Sequence, residues 1–147
     1  MPSQPPSAAY AEKFCILGAG SSGLAAAKNF REAGIPFDCL ERQDDIGGNW
    51  YFGSPASRVY ASTHLVSSKR LTEYSDFPMP EEWAEYPSHR QTLEYLRAYA
   101  TRFGLYEDIQ FNTAVEWVEP IGSTQAGPLG VPRGDRVRYA GRTLRGA

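Results

Sequence analysis

The segment Gly18-Ala-Gly20-Ser-Ser-Gly23 constrains this chain more than any other. A GxGxxG pattern is weak alone, and becomes specific when a strand precedes it, a helix follows it, and an acidic residue ends the next strand about twenty residues on. Lys13 to Leu17 is a short apolar run that stops at glycine, as expected of a strand buried on both faces of a parallel sheet. Leu24, Ala25, Ala27, Lys28, Phe30 and Arg31 bring helix formers at helical spacing, and Gly34 supplies a left-handed stop. A helix is therefore expected from about Ser22 to Ala33. Phe37 to Glu41 reads as a second strand whose terminal acid lies eighteen residues past Gly23. Strand, helix and strand make one βαβ unit, so the expected fold class is α/β and Rossmann-like.

Each position has a physical reason. Gly18 permits the tight turn out of the strand. Gly20 has no side chain to hold a pyrophosphate away from the backbone, and Gly23 lets helix and strand approach closely. The N–H groups of the loop and first helical turn, through Ala19, Ser21 and Ser22, then face the phosphates at the positive end of the helix dipole. Glu41 is placed to accept hydrogen bonds from a ribose, and its charge disfavours a 2′-phosphate, which argues for FAD or NAD over NADP at this site. The plainer alternative is a glycine-rich turn that binds no dinucleotide.

With 147 residues, 41% of them hydrophobic and 22% charged, the chain fits one ordinary globular core. A net charge of -2 leaves no electrostatic footprint for nucleic acid, so no such partner is expected. The longest apolar run is far shorter than the roughly 20 residues that cross a bilayer, and residues 1–9 lack the basic start and apolar stretch of a signal peptide. The expectation is a chain without a membrane segment, in the cytoplasm. Cys15 and Cys39 fall in the two strands and read as small core hydrophobes, there being no CxxC pair.

Met1 to Glu12 is expected to be a flexible lead-in, rich in proline and small polar residues. From Arg42 to Pro87 the chain is dense in glycine, proline and aromatic residues, a long loop of the kind that carries function. Ser88 and Gln91 form a capping-box pair that starts a helix. Its apolar stripe is Leu93, Leu96, Tyr99, Ala100 and Phe103, and Gly104 closes it. His89, inside that helix start, is expected at the surface, and His64 reads as a loop histidine. Ile109 to Val118 alternates as one strand with an irregularity. The expected domain plan is a lead-in over 1–12, a dinucleotide-binding domain over 13–118, and an Arg/Gly/Pro-rich tail over 119–147. That tail carries five arginines against two acids. Truncation or a shifted reading frame is one account of it, and a disordered or hairpin tail is the other.

The motif alone does not separate FAD from NAD. After Glu41 comes Arg-Gln-Asp-Asp-Ile-Gly47-Gly48-Asn49-Trp50, which resembles the acid-then-GGxW stretch of the flavin-containing monooxygenases. Tyr60 to Lys69, then Tyr74-Ser-Asp-Phe-Pro78, is similar to the family's segment ending in a YSDFP-type motif, and Tyr95-Leu96 with Tyr99-Ala100 resembles the helix that follows. The resemblance runs from Phe14 to Val118, about the first third of a complete family member. It implies an FAD-binding domain that is incomplete here, whose sheet keeps an uncovered edge because later strands complete it in the family. It also implies that Gly48, Asn49 and Trp50 lie beside the flavin.

Many members carry an asparagine about ten residues before the SDFP motif, where this chain has Val66. Valine cannot donate the hydrogen bonds that an asparagine would. The Arg-Tyr-Pro-Gly pattern of the ketone-oxidising relatives is absent after Trp50, which favours the amine- and sulfur-oxidising branch. A second GxGxxG, for NADPH, does not occur in these 147 residues. The implied complete enzyme reduces FAD with NADPH and passes one oxygen atom of O2 to a soft nucleophile, a small-molecule amine or sulfide. No protein general base is needed for that step, so no catalytic residue is named and turnover by this chain alone is not expected. The other readings are another two-dinucleotide flavoprotein and a truncated FAD-binding module without turnover.

Overall fold

A computed structural model describes residues 13–121, 125–126, 132–133 and 136–143, with side chains described as far as residue 118. The expected lead-in, residues 1–12, lies outside the described residues.

The βαβ unit forms where the glycine spacing requires it. Strand β1 is Phe14–Leu17, helix α1 is Ser21–Ala33 and strand β2 is Phe37–Leu40. The helix stops at Gly34, whose φ of 67° is the left-handed conformation that glycine adopts without strain. β1 and β2 pair in parallel from Phe14 opposite Phe37 to Leu17 opposite Leu40. Leu24 and Ala27 of α1 are buried on this pair with Ile16 and Cys39. Burying one leucine side chain is worth about 2 kcal/mol. Cys39 is a free thiol pushed up to about 12 by burial first, with the charge of Glu41 adding to it, so it packs rather than reacts.

Two expectations are corrected here. β1 is not buried on both faces: it is the edge of a three-stranded sheet ordered β1-β2-β3, and Phe14 and Leu17 are 48% and 53% exposed. An edge strand has a neighbour on one side only, so its outer residues keep solvent contact. The run Ile109 to Val118 is also not one strand. Strand β3 is Ile109–Gln110, parallel to β2, and strand β4 begins afresh at Thr113 and runs to Ile121. Asn112 breaks them apart with a φ of 53°, a left-handed position that asparagine tolerates better than most residues. The expected irregularity lies between Val115 and Trp117, where the register of β4 shifts.

β4 crosses residue 118 and pairs antiparallel with strand β7, Arg136–Thr143. Strands β5, Gln125–Ala126, and β6, Pro132–Arg133, form a second antiparallel pair.

Between β2 and β3 lies the long aromatic-rich connection. It holds a 3-10 turn at Gly48–Trp50 and the short helix α2, Lys69–Thr72, followed by helix α3, His89–Arg102. Ser88 caps α3 with both halves of a capping box: its hydroxyl accepts from the Gln91 N–H, and the Gln91 side chain accepts from the Ser88 N–H. α3 packs beside α1 and buries Tyr95, Leu96, Tyr99 and Ala100 in the common core. His89 is the third correction. It is 1% exposed, its ring 4.7 Å from that of Phe52, and neither ring nitrogen has a hydrogen-bond partner. Its backbone N–H donates to the Thr63 carbonyl at 2.9 Å, which draws the start of α3 under the 63–65 segment and buries the imidazole.

Candidate functional site

Ala19 is the junction of the site. Its N–H donates to Glu41 Oε2 at 2.6 Å, and its carbonyl accepts the Gly47 N–H at 3.0 Å. The first bond ties the glycine loop to the end of β2; the second ties the same loop to the Gly47-Gly48 turn. Glu41 is 4% exposed, and its other oxygen accepts the Gln43 N–H at 2.8 Å. A carboxylate holding two backbone N–H groups is a rigid post, each such charge-assisted bond being worth about 1.5–3 kcal/mol.

The glycines serve two different needs. A Cβ at Gly23 would stand 1.9 Å from the Gly18 carbonyl oxygen, so this position is glycine because helix and loop backbones touch. A Cβ at Gly20 would meet nothing nearer than the Gly48 Cα at 3.7 Å. Packing within the chain therefore does not demand glycine at 20, and open space above it does not need filling. Gly20 and Gly48 lie back to back, so the two glycine segments form one smooth backbone floor.

This floor opens into a cavity of about 600 Å³, lined by Gly18, Gly20, Glu41, Gly48 and Asn49 together with Arg42, Gln43 and Ala56 and by Thr113 and Val115 to Val118 of β4. Gly20, the residue before the first turn of α1, sets the amino terminus of that helix at the edge of the same cavity. That terminus has no side-chain cap and no acidic residue in its first turn. Such an end attracts an anion by its uncompensated donors and dipole. Cradle, donors and buried acid together fit the pyrophosphate and ribose of a dinucleotide.

A second cavity, of about 260 Å³, is lined by Ser21, Ser22, Trp50, Tyr74, Tyr95 and Leu96 among others. Trp50 thus lines a different cavity from Gly48 and Asn49. The Asn49 side chain accepts the Arg58 N–H at 2.8 Å and its carbonyl accepts the Ser57 hydroxyl, holding the loop that borders the first cavity. Val66 is 98% exposed and lines neither cavity. His64 is exposed, its Nδ1 2.9 Å from the Ser62 carbonyl. Sequence reasoning missed the cavity residues Arg42, Gln43, Thr113 and Val115. The turn at Asn112 was the available signal, because it returns the chain to Glu41, whose carbonyl accepts the Thr113 N–H at 2.8 Å. Among the described residues no cluster of His, Cys, Asp and Glu could hold a metal ion, and no helix is long and apolar enough to cross a membrane.

A parallel βαβ unit with a glycine cradle, a free helix end and a buried acid defines a dinucleotide-binding α/β domain. Residues 11–127 match the family model described as flavin-binding monooxygenase-like, and the chain belongs to that family. It is 43% identical over 109 residues to flavin-containing monooxygenase 1 of Oryctolagus cuniculus, a match that takes in 71% of this chain and 20% of that protein. The chain thus spans about one fifth of the length of the curated relatives it matches. Among solved structures, the flavin-containing monooxygenase of Stenotrophomonas maltophilia superposes with a TM-score of 0.68 at 25% identity, covering 90% of this chain and 34% of that one. A steroid monooxygenase bound to NADP superposes at 0.65 with 27% identity, covering 74% and 21%.

Proposed function

We propose that this chain binds FAD and forms the FAD-holding part of a flavin-dependent monooxygenase. The single observation that carries the reading is the backbone floor of Gly20 against Gly48, open above and bounded by Glu41 and the uncapped end of α1. In this reading the loop from Gly18 to Gly23 cradles the pyrophosphate with backbone donors from Gly20, Ser21 and Ser22, while the N–H groups of Gly18 and Ala19 stay on the Leu40 carbonyl and on Glu41. Glu41 keeps its two backbone partners and offers its remaining lone pairs to the ribose. Gly48 and Asn49 form the floor and wall, and Trp50 borders the adjoining second cavity. Val66, exposed beyond both cavities, is open to a neighbouring part of a longer chain and, being apolar, gives a flavin or nicotinamide no donor there.

When bound, the flavin supplies hydride acceptance from NADPH and oxygen transfer to a soft nucleophile, an amine or sulfide. The chain's own residues bind and orient it; none of the described side chains has to move a proton. The single GxGxxG of these 147 residues is assigned to FAD, which leaves NADPH to a second motif outside them. The cytoplasm is the place this reading gives the protein.

The test is reconstitution. The purified 147-residue chain titrated with FAD is expected to quench flavin fluorescence at one equivalent and to remain yellow after gel filtration. A chain that is folded by circular dichroism yet retains no flavin overturns the reading.

A further inference from the structure

Ser21 and Lys28 stand seven residues apart on α1, two helical turns, and so share one face. The Tyr74-Ser-Asp-Phe-Pro78 turn reaches both. The Tyr74 hydroxyl donates to the Ser21 carbonyl at 2.6 Å, and the Asp76 carboxylate pairs with the Lys28 ammonium. Lys28 is a buried lysine; it also pairs with Glu32 at 2.6 Å and lies 5.2 Å over the Phe103 ring, so its position is fixed from three sides.

The turn is itself rigid. Tyr74 and Phe77 form a bridge across it, the Tyr74 N–H donates to the Tyr95 hydroxyl oxygen at 2.7 Å, and that hydroxyl donates to the Phe77 carbonyl at 2.6 Å. The Tyr74 ring lies 4.2 Å from that of Tyr99. One short turn anchored on α3 therefore touches α1 at its first residue and again two turns along.

We propose that this turn is a clamp that aims the phosphate-binding end of α1, with Tyr74 and Asp76 as positioning residues. The inference rests on the FAD reading above and assigns that site its orienting device. Two further features support it. The amino terminus of α1 has no side-chain cap of its own, so its own sequence does not fix that end. The second cavity also borders Ser21 and Tyr74, so close packing is missing on that side and the hydroxyl tether carries positional weight. The donors of a helix end point together along its axis, so a small tilt weakens several phosphate contacts at once.

The experiment uses the full chain with Tyr74→Phe, which keeps the ring and removes the tether, and with Asp76→Asn. Tyr106→Phe serves as a control that loses a hydroxyl elsewhere. Amide hydrogen exchange at Leu24 and Ala25 in the ligand-free chain reads the clamp without any cofactor. Affinities for ADP and for adenosine read its purpose. Both variants are expected to exchange faster than the control at these amides and to lose about five-fold in ADP affinity, the scale of one net hydrogen bond, with adenosine unchanged. Unchanged exchange overturns the clamp. Faster exchange with ADP and adenosine weakened equally, or with neither weakened, overturns its positioning role. A wild-type chain that takes neither FAD nor ADP sinks the FAD reading and the positioning role with it, while exchange still decides whether the clamp exists.

Discussion

Glu41 Oε2 accepts the Ala19 N–H at 2.6 Å, a bond that spans 22 residues and joins the end of β2 to the middle of the glycine motif. The acid proposed above as a ribose ligand is thus also a structural post. The two duties can be separated. Glu41→Gln keeps one acceptor oxygen, but turns an NH2 toward the Ala19 or Gln43 N–H. It should destabilise the chain by about 1–3 kcal/mol in urea unfolding even without a nucleotide. An unchanged midpoint would show that the carboxylate serves the ligand alone.

Gly20 and Gly23 give a paired test of where the motif's glycines act. Gly23→Ala places a Cβ 1.9 Å from the Gly18 oxygen, and the chain should lose cooperative folding. Gly20→Ala meets only ordinary contact at 3.7 Å, so its thermal midpoint should stay close to wild type while FAD retention falls at least ten-fold. Equal loss of folding in both variants would contradict this division.

His89 carries a prediction of the opposite sign. Both of its ring nitrogens are buried without a partner, against the ring of Phe52. A buried polar group left unpaired costs roughly 1–3 kcal/mol, which a hydrophobe of similar shape does not incur. His89→Phe should therefore raise the thermal midpoint, measured by calorimetry. A fall of several degrees would mean that the imidazole is bonded in solution.

These cases also show what the sequence could and could not convey. The βαβ unit and the capping box of α3 were legible because each is written within a few neighbouring residues: Gly34 ends its own helix, and Gln91 caps the turn begun by Ser88. The burial of His89 was not, because it is imposed by Phe52, 37 residues earlier, and by the Thr63 carbonyl. The exposure of Phe14 and Leu17 depends on which strands flank β1, a matter of sheet order that apolar composition does not encode. Gly18, Gly20 and Glu41 of the motif line the cavity, but Thr113 and Val115 reach it only through the return of the chain after Asn112. The Tyr74 to Pro78 turn was recognisable by resemblance alone, since its partners Ser21 and Lys28 lie about fifty residues away.

The ion pair between Asp76 and Lys28 fixes a pH window for the attachment of that turn. The Lys28 hydrogen bond holds the Asp76 carboxyl below its ordinary 3.8, and hydrogen bonds to Asp76 and then Glu32 hold the Lys28 ammonium above its ordinary 10.5. A depressed carboxyl contributes stability that is present above its unfolded pKa and is lost as pH falls through the lower folded value. A raised ammonium contributes stability that is present below its unfolded pKa and is lost as pH rises through the higher folded value. The pair should therefore contribute fully between about pH 5 and pH 9, and fade outside that range at both ends. The stability difference between wild type and Asp76→Asn, followed by urea unfolding across pH, should be flat through this interval and shrink below about pH 4. Because Asp76 is partly exposed, 0.5 M salt should reduce the difference within the plateau as well. A difference that instead grew as pH fell from 7 to 5 would assign the effect of the substitution to another group.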